Sequence, residues 1–465
     1  MVAGLRRSLR TIETFGVSVS IIAPTLAMAF VTTLTAQSAG WATPLAYLIG
    51  GAIVTIVALS FVAFGRRVAH AGSVYAYVGS VLGPPSGFVV GWVLLLTYAT
   101  FLASATALIG KFGAAALGHV GVEGPSLWLI IAVLGVVLAA WLTWRDVQLA
   151  ARVILVLESA SVLAILLLAI VILTRVPPSL LPFKPEPGHG WTGIGFGIVF
   201  AVLSFAGFEG ATTLGEEAQH PVRSIPKAIM GTVMVASLFF VFVSYAQVVG
   251  YGLGHVQELR QASVPLDELS TRFISGAYAG FLDCAASISA LACAIGSLSA
   301  AARMLYALGR AGLAPHLAVV NPRHGTPARS IVVMSALNLV CLLLWGARAA
   351  TSYSGDIVTI GTLGLILVYI SVTGAQAIGA FRSRRPVWWM IGSLGAVLLL
   401  WPLGNSLYPA PPWPGNVWPC IVAAWLVLGL ALAFFRRSVT GPEFMSLRLR
   451  GDSGQDSDFS TNLRI

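Results

Sequence analysis

Two glutamates inside otherwise apolar stretches are the residues of this sequence best placed to do chemistry. Glu209 lies two residues after Gly207 in the hydrophobic segment Leu203–Ile229, and Glu158 lies deep in the apolar run Ala151–Leu173. An ionisable residue at membrane depth is costly and usually marks the path of a solute or an ion. Irregular backbone at that depth persists only where it is buried in protein or lines a cavity. The pattern therefore predicts a solute cavity beside these carboxyl groups.

The two carboxyl groups support different chemistry. Burial in a low-dielectric environment disfavours the charged form of a carboxyl group, so Glu158 can serve as a proton carrier. The alternative is that Glu158 snorkels to the cytoplasmic end of its span or pairs there with Arg152 or Arg145. Glu209 can accept a proton during gating, or it can bind backbone N–H groups that a helix break leaves without partners. We expect Glu209 to combine both roles.

The composition places these residues in a lipid bilayer. The 465 residues are 57% hydrophobic and only 9% charged, which leaves too little polar surface for a soluble globule. Runs of about 20 apolar residues are long enough to span a membrane. They predict an all-α polytopic membrane protein with about twelve spans: Thr14–Leu34, Ala42–Phe64, Ser86–Gly110, Ser126–Trp144, Ala151–Leu173, Gly193–Leu214, Ala228–Tyr251, Tyr278–Leu308, Ser330–Trp345, Ile357–Phe381, Val387–Leu403 and Val417–Phe435.

The basic residues predict the orientation, because lysine and arginine concentrate on the cytoplasmic side of membrane proteins. With the N-terminus in the cytoplasm, most of the 27 lysines and arginines fall on that side. An even number of spans then places both termini in the cytoplasm of a plasma-membrane protein. The formal charge of +10 is assigned to these topogenic residues and to anionic lipid headgroups, and no nucleic-acid partner is predicted. The basic residues predicted to face outward are Lys111, Arg175, Lys184, Arg260, Arg272 and Arg348.

Two predicted breaks occupy matching positions in the two halves of the chain. The first span contains Ala23-Pro24 and the sixth contains Ala206-Gly207. Proline removes a helix donor and glycine lets the chain unwind, although either residue alone can merely kink a helix. Interrupted spans at corresponding positions indicate an inverted-repeat transporter. We predict a cytoplasmic segment 1–13, a five-plus-five core at 14–385 with repeats at about 14–175 and 193–382, two further spans in 386–437, and a disordered cytoplasmic tail at 438–465.

The remaining reactive side chains predict neither a metal site nor a cofactor. The cysteines lie inside apolar spans without a metal-ligand spacing, so they are interpreted as small buried side chains. His119, His189 and His255 fall in predicted outer loops with no second ligand at a useful spacing, and they are interpreted as surface residues. Glu216, Glu217 and Arg223 near the inner mouth are either an ion-paired cytoplasmic latch or solvated loop charges. Arg303 is expected to pair with one of these acidic residues.

Four stretches of the chain resemble the amino acid, polyamine and organocation permeases. The third stretch is the most specific, because a glycine-flanked Phe-Glu leads through acidic residues and His-Pro into the helix start Ile-Pro-Lys-Ala. The likeness spans about residues 10–385. It implies the five-plus-five fold shared with sodium-coupled leucine-type transporters, with helices 1 and 6 discontinuous, alternating access, and a substrate between the two breaks. The stretches are IIAPTLA (Ile21–Ala27), AGSVYAYVGSVLGPPSGFVVGW (Ala71–Trp92), FAGFEGATTLGEEAQHPVRSIPKAI (Phe205–Ile229) and AARMLYALGRAGLAPHLAVVNPRHGTP (Ala301–Pro327).

Under this resemblance the broken helices can hold both charged groups of an amino acid. Half-helix N-termini present N–H groups that suit a carboxylate, and exposed carbonyls suit an ammonium group. The first break would bind the carboxylate and the second the amine, while Phe208 is either an aromatic lid or a packing residue. Many relatives have a Gly-Ser-Gly type of turn where this chain has Ala-Pro-Thr, which leaves room for amines or polyamines. The predicted substrate-binding residues are Ser20, Ile22, Ala23, Pro24, Thr25, Phe205, Ala206, Gly207 and Phe208.

The resemblance also gives Glu158 a possible coupling role. At the comparable depth of the fifth helix, some relatives have a lysine that substitutes for a sodium ion. Glu158 at that place can carry a proton or attract a cation beside hydroxyl groups of the eighth span. The predicted coupling and gating residues are therefore Glu158, Glu209, Ser287 and Ser289.

Together these features favour a secondary active transporter of amino acids or related small amines, driven by protons. The alternatives are a polyamine, organocation or nucleobase-like transporter or exchanger of the same fold, and a sensor or channel built on it. An intramembrane enzyme is disfavoured because the sequence has no HExxH motif and no paired catalytic aspartates. The substrate itself, the coupling ion, the direction of net transport and the oligomeric state stay open at this level.

Overall fold

The protein is described by a computed structural model that covers residues 9–68, 72–145, 147–321, 323–345, 349–408 and 413–435. The predicted tail at 438–465 lies outside the described residues, as does most of the predicted segment 1–13. The described chain is helical, and its β-structure is limited to an isolated parallel bridge between Leu9 and Ala218. The prediction of an all-α polytopic fold is therefore confirmed.

The helices follow the predicted spans closely. The first half contains α1 (Thr11–Ile22), α2 (Pro24–Leu26), α3 (Thr32–Ala39), α4 (Thr43–Gly65), α5 (Val74–Leu82), α6 (Pro84–Gly118), α7 (Leu127–Arg145) and α8 (Val147–Arg175). The second half contains α9 (Gly190–Ser204), α10 (Pro221–Tyr251), α11 (Val256–Gln261), α12 (Pro265–Phe273), α13 (Gly276–Arg310), α14 (Ala328–Trp345) and α15 (Ala350–Arg382). The last two helices are α16 (Pro386–Leu407) and α17 (Trp418–Phe435).

Ten helical segments of the described chain are long and apolar enough to cross a membrane, and Ala328–Leu344 is a shorter apolar helix. The first segment, Thr11–Gly65, has 55 residues. A helix of that length would measure about 80 Å, far more than the roughly 30 Å of a bilayer core. The backbone turns at Gly40, where φ is 59° and ψ is −133°. This segment therefore contains two of the predicted spans, and each of the twelve predicted spans corresponds to a helix.

The centre of the bundle is formed by long helices that bury most of their surface. Helix α6 packs along α13 and α15, and α10 packs along α4. Small residues allow close approach, since a Cβ atom at Gly91 would lie 3.1 Å from the Tyr75 Cβ and 3.3 Å from the Met304 sulfur. Helices α16 and α17 pack on the outside of this core and expose many large apolar side chains. Such surfaces are suited to lipid.

The first helix is broken at the predicted position. Helix α1 ends at Ile22, and Ala23 adopts a left-handed conformation with φ 45° and ψ 68°. Pro24 then begins α2, because proline has no N–H to leave unpaired and restricts the residue before it. A π-helical turn at Ala27–Val31 connects α2 to α3. The break thus follows from local proline geometry.

The sixth span is broken in the same way by glycine. Helix α9 ends at Ser204, and the chain resumes as a 3-10 helix at Phe208–Leu214. Between them Gly207 has a φ of 116°, a conformation that L-residues with side chains rarely adopt. A Cβ atom at Gly207 would also lie 2.5 Å from Cγ2 of Ile21. The two breaks therefore pack against each other.

Candidate substrate and coupling site

A small cavity of about 50 Å³ lies where the two breaks meet. Its walls come from both breaks and from α6, α13 and α15. The lining is mostly apolar, with side chains such as Leu26, Phe30 and Phe101, and the described acidic residues are absent from it. The polar side chains at its edge are Ser104, Ser204 and Cys293.

Two of the predicted substrate-binding residues line this cavity directly, namely Ile22 and Ala206. The carbonyl of Ala206 accepts no hydrogen bond from any described residue, although Ala206 N–H donates to the Leu203 carbonyl at 2.9 Å. The neighbouring carbonyl of Ile21 accepts a bond from Cys293 Sγ at 3.3 Å. A carbonyl oxygen without a hydrogen bond, such as that of Ala206, suits a primary ammonium group.

Glu158 reaches the start of the second half of the broken first helix. Its Oε1 accepts a hydrogen bond from the Thr25 backbone N–H at 2.9 Å and another from Ser289 Oγ at 3.0 Å. Ser289 Oγ in turn accepts the Leu26 N–H at 3.2 Å. A carboxylate at a helix N-terminus is stabilised by the helix dipole and by N–H groups that have no partner within the helix. Glu158 is 1% exposed, and Oε2 has no hydrogen-bond partner among the described residues.

The structure does not show an ion pair between Glu158 and Arg145. The Arg145 guanidinium lies over the Trp141 ring, 4.7 Å from its centroid, and the side chain of Arg152 lies outside the described residues. Of the two predicted hydroxyls, Ser289 contacts Glu158, whereas Ser287 donates to the Ile109 carbonyl at 2.9 Å. The two serines share a helix but meet different neighbours.

Glu209 closes the break in the sixth span. Its Oε2 accepts the Gly207 N–H at 3.0 Å and the Tyr369 hydroxyl at 2.7 Å. Oε1 has no hydrogen-bond partner among the described residues, and the buried Tyr98 hydroxyl interacts electrostatically with the carboxyl group. Glu209 therefore binds a backbone N–H that the break leaves unpaired, as one of its two sequence-based interpretations predicts.

Other predicted substrate-binding residues lie away from the cavity in this conformation. The Phe208 ring packs 5.4 Å from the Phe61 ring and 5.3 Å from the Tyr369 ring, centroid to centroid. Phe205 packs against Phe240 at 5.0 Å. Ser20 Oγ donates to the carbonyl of the preceding turn at Val17, at 2.7 Å. Ala23, Pro24 and Thr25 continue the break beyond Ile22, and Thr25 Oγ1 is buried without a hydrogen-bond partner among the described residues.

Ion pairs tie the end of the 3-10 segment to α13. Arg303, which is 2% exposed, binds Glu217 through Nε at 2.5 Å and through Nη2 at 2.9 Å. This pairing of Arg303 with a nearby acid was expected from the sequence and is confirmed. Glu216 binds Arg310 at 3.2 Å. Leu9 adds backbone bonds, because its N–H donates to the Glu217 carbonyl at 3.1 Å.

A cluster at the other end of the bundle was missed by sequence reasoning. His119, just after α6, has its Nε2 atom 3.3 Å from Oδ1 of Asp267 on α12 and 3.3 Å from Oδ2 of Asp283 on α13. His119 is exposed, as its interpretation as a surface residue predicted, but two potential ligands lie beside it that no sequence spacing indicated. Its partners are far away along the chain, so no spacing rule reveals them. His255 and His189 each have a single carboxylate within 4 Å among the described residues, at Glu258 and Glu186.

The family of the chain follows from its match to a family model described as amino acid permease, which covers residues 19–385. The chain belongs to the amino acid permease family. The match covers both breaks, Glu158, Glu209 and the ion pairs of α13. It makes this chain an integral membrane protein and a transporter of small organic molecules.

Transporters with similar sequences are named for different substrates. The branched-chain amino acid permease BcaP of Lactococcus lactis subsp. cremoris (strain MG1363) is 24% identical over 86% of this chain and 88% of its own length. The low-affinity putrescine importer PlaP of Escherichia coli (strain K12) is 25% identical over 64% of this chain and 66% of its own length. The methylthioribose transporter of Bacillus subtilis (strain 168) is 24% identical over 86% of this chain and 87% of its own length. The family is shown by the match over residues 19–385, and relatives at these identities do not show the substrate.

Proposed function

We propose that this permease is a proton-coupled secondary transporter for a small amino acid with an uncharged, aliphatic side chain. The observation that supports this substrate class is the composition of the cavity between the two breaks. The Ala206 carbonyl there is free to accept an ammonium group, and the remaining lining is apolar, with the described carboxylates outside it. A side chain with a second positive charge would be left without a counter-ion.

The proposed carboxylate site is the N-terminus of α2. In this conformation the Thr25 and Leu26 N–H groups are bound by Glu158 and Ser289. A proton on Glu158 removes the negative charge from that contact, and charge-assisted hydrogen bonds are roughly twice as strong as neutral ones. Protonation therefore weakens the hold of Glu158 on Thr25 and frees the helix terminus for the substrate carboxylate. In this proposal the proton and the amino acid are coupled because the substrate carboxylate replaces the Glu158 carboxylate at the helix terminus once Glu158 has taken up the proton.

We further propose that the transporter works by alternating access in the plasma membrane, with residues 14–175 and 193–382 as inverted repeats and both termini in the cytoplasm. The ion pairs of Arg303 and Arg310 then lie at the cytoplasmic end, where they oppose inward opening. A buried Arg–Glu pair must be broken and solvated for that end to open, which is costly unless binding energy compensates.

A small amine is the second candidate, and one observation favours it. The N–H donors at the first break are already occupied, so a ligand without a carboxylate needs no displacement of Glu158. Such a ligand would bind only through carbonyl groups such as that of Ala206. A diamine is less well matched, because the described lining of the cavity carries no acid for its second ammonium group.

The test is uptake by the purified protein in liposomes with an inward pH gradient. We expect accumulation of an aliphatic amino acid such as valine or alanine, and no accumulation of putrescine. The corresponding amine isobutylamine, which is valine without its carboxylate, is the matched control. Equal uptake of valine and isobutylamine would contradict a carboxylate site at α2 and favour the amine alternative. Uptake that ignores the pH gradient would contradict proton coupling.

A further inference from the structure

Three potential metal ligands converge at the end of the bundle opposite the Arg303 ion pair. His119 Nε2, Asp267 Oδ1 and Asp283 Oδ2 all lie within 4.8 Å of one another. They come from three separate elements, because His119 follows α6, Asp267 lies in α12 and Asp283 lies in α13. The cluster is outside the substrate cavity and has no role in the coupling proposed above.

One oxygen of each carboxylate in this cluster is buried without a hydrogen-bond partner among the described residues. Asp283 is 2% exposed, and its Oδ2 accepts no hydrogen bond from the described residues. Asp267 Oδ1 is likewise buried and without a hydrogen-bond partner among them. Both oxygens point at His119 from 3.3 Å, yet neither contact has hydrogen-bond alignment. Two carboxylates so placed repel each other unless a positive charge lies between them, which a protonated His119 or a bound metal ion can supply.

Two of the three distances in the cluster match those between ligands of one metal ion. Tetrahedral zinc has ligand bonds of roughly 2.0–2.2 Å, so two of its ligand atoms lie about 3.4 Å apart. The two contacts of His119 Nε2, at 3.3 Å each, have this length. Imidazole nitrogen and carboxylate oxygen are both zinc ligands, and three protein ligands leave a fourth position for water.

Lys111 on α6 interacts electrostatically with Asp283, but only at longer range than an ion pair. Lys111 Nζ donates to the Ser263 carbonyl and lies over the rings of Phe30 and Phe112, 5.5 and 5.1 Å from their centroids. It forms no ion pair within 4 Å of Asp283 among the described residues. The side chains of His119 and Asp267 are 30% and 29% exposed, which leaves a route for an ion from water.

We propose that His119, Asp267 and Asp283 form a binding site for one divalent transition-metal ion of the zinc type. The ion bonds to Nε2 of His119 and to one carboxylate oxygen of each aspartate, with water as the fourth ligand. It links the end of α6 to α12 and α13. Because α12 also packs against the π-helical turn Ala27–Val31, which lines the substrate cavity, the ion holds one wall of that cavity in place.

The direct test is titration of the metal-free, full-length protein in detergent with Zn²⁺, followed by isothermal calorimetry. We expect one tight site in the unchanged protein and a loss of affinity of at least about 100-fold in His119→Ala and Asp283→Asn, since each removes a ligand. The matched control is His255→Ala, which removes a histidine beside the single carboxylate of Glu258 and is expected to bind Zn²⁺ as before. Equal Zn²⁺ affinity of His119→Ala and the unchanged protein would overturn the site. Absence of Zn²⁺ binding to either protein would overturn it as well.

A second measurement does not depend on how the buried variants fold. Co²⁺ in a tetrahedral site gives strong visible absorption, so we expect this signal in the unchanged protein and its loss in Asp267→Asn. Asp267 is partly exposed, and its replacement by asparagine leaves the shape of α12 intact. A spectrum of octahedral aqueous Co²⁺ throughout the titration would contradict the proposed ligand set.

The effect on transport rests on the proposed function and is tested separately. Zn²⁺ at saturation is expected to slow uptake by the unchanged protein at least tenfold and to leave His119→Ala unaffected. Zn²⁺ binding without any change in uptake would remove the link to the cavity wall while leaving the metal site in place. Absence of uptake by both proteins without Zn²⁺ would count against the proposed transport function and would leave the calorimetric result valid.

Discussion

The two helix breaks are both stabilised by a buried glutamate, but the two glutamates reach them from different directions. At the sixth-span break, Glu209 binds the N–H of Gly207, only two residues away. At the first-helix break, Glu158 binds the N–H of Thr25 from a separate helix, α8. A capping residue of the same segment keeps its hydrogen bond when that segment moves. A capping residue on another helix loses its hydrogen bond when the two helices separate. We therefore expect a change of charge to alter helix packing at the first break and local backbone geometry at the sixth.

The two carboxyl groups also differ in how much open space lies beside them. Glu158 borders a second cavity of about 280 Å³ together with Pro24 and Thr232, so a small ion or water has space beside it. Glu209 is enclosed by the Tyr369 hydroxyl and by the packed rings of Phe208 and Tyr369. A carboxyl group beside open space can exchange a proton more easily than one sealed among aromatic side chains. Both are almost completely buried, at 1% and 0% exposed.

The largest expected effect follows from Glu158→Gln. Glutamine keeps a carbonyl oxygen for the Thr25 N–H but cannot lose or gain a proton, so uptake driven by a pH gradient should fall at least 100-fold, or about 2.7 kcal/mol. Exchange of labelled for unlabelled substrate without a gradient should persist. Both are measured in liposomes. Uptake with an unchanged pH dependence would contradict the coupling role of Glu158.

Gly207→Leu is expected to abolish substrate binding. The left-handed backbone at Gly207 costs a residue with a side chain roughly 1–2 kcal/mol, and its Cβ atom would collide with Ile21, which packs directly against it. Thermal stabilisation by ligand measures the loss, since a ligand that binds only the folded protein raises its stability.

The control for that substitution is Gly404→Leu in α16, because nothing lies within 4 Å of a Cβ atom there. It should leave ligand-dependent stabilisation unchanged. Retained affinity in Gly207→Leu would show that the sixth-span break does not form the binding site.

Glu209→Gln is expected to distinguish the role of Glu209 from that of Glu158 most clearly. The amide oxygen can still accept from Gly207 and Tyr369, but the charge is lost, and hydrogen bonds to charged groups are worth about 1.5–3 kcal/mol against about 1 for neutral ones. The free energy of unfolding of the variant should therefore be about 1 kcal/mol lower, as measured by denaturant or thermal unfolding. Its uptake should keep the normal pH dependence, in contrast to Glu158→Gln. Loss of the pH dependence here would place the proton site at the sixth-span break instead.

The smallest effect is expected from two serines on the same helix. Ser289→Ala removes a hydroxyl that bridges Glu158 and the Leu26 N–H, so the pH at half-maximal uptake should shift and the rate should fall a few-fold, with each bond worth about 1 kcal/mol. Ser287→Ala is the matched control, because that hydroxyl donates to the Ile109 carbonyl. A shift of equal size in both variants would show that the bridge to Glu158 has no special role.

Much of the fold could be predicted because its causes are local. Apolar runs long enough to span a bilayer predicted the helices, and Ala23-Pro24 and Gly207 predicted the breaks, since proline and glycine restrict or release the backbone wherever they occur. The family resemblance agreed with this and is confirmed by the match over residues 19–385. The substrate-binding role of residues such as Ile22, Ala206 and Phe208 stays a prediction.

The amino-acid sequence by itself determined the membrane environment, the number of spans, the two breaks and the presence of a deep carboxyl group at Glu158. Only the tertiary structure decided which backbone N–H that carboxyl group binds, and that Ser289 rather than Ser287 contacts it. It also decided that His119 meets Asp267 and Asp283. The physical reason is that hydropathy and backbone propensity act between residues close in sequence, whereas these contacts depend on how separate helices turn and pack against each other.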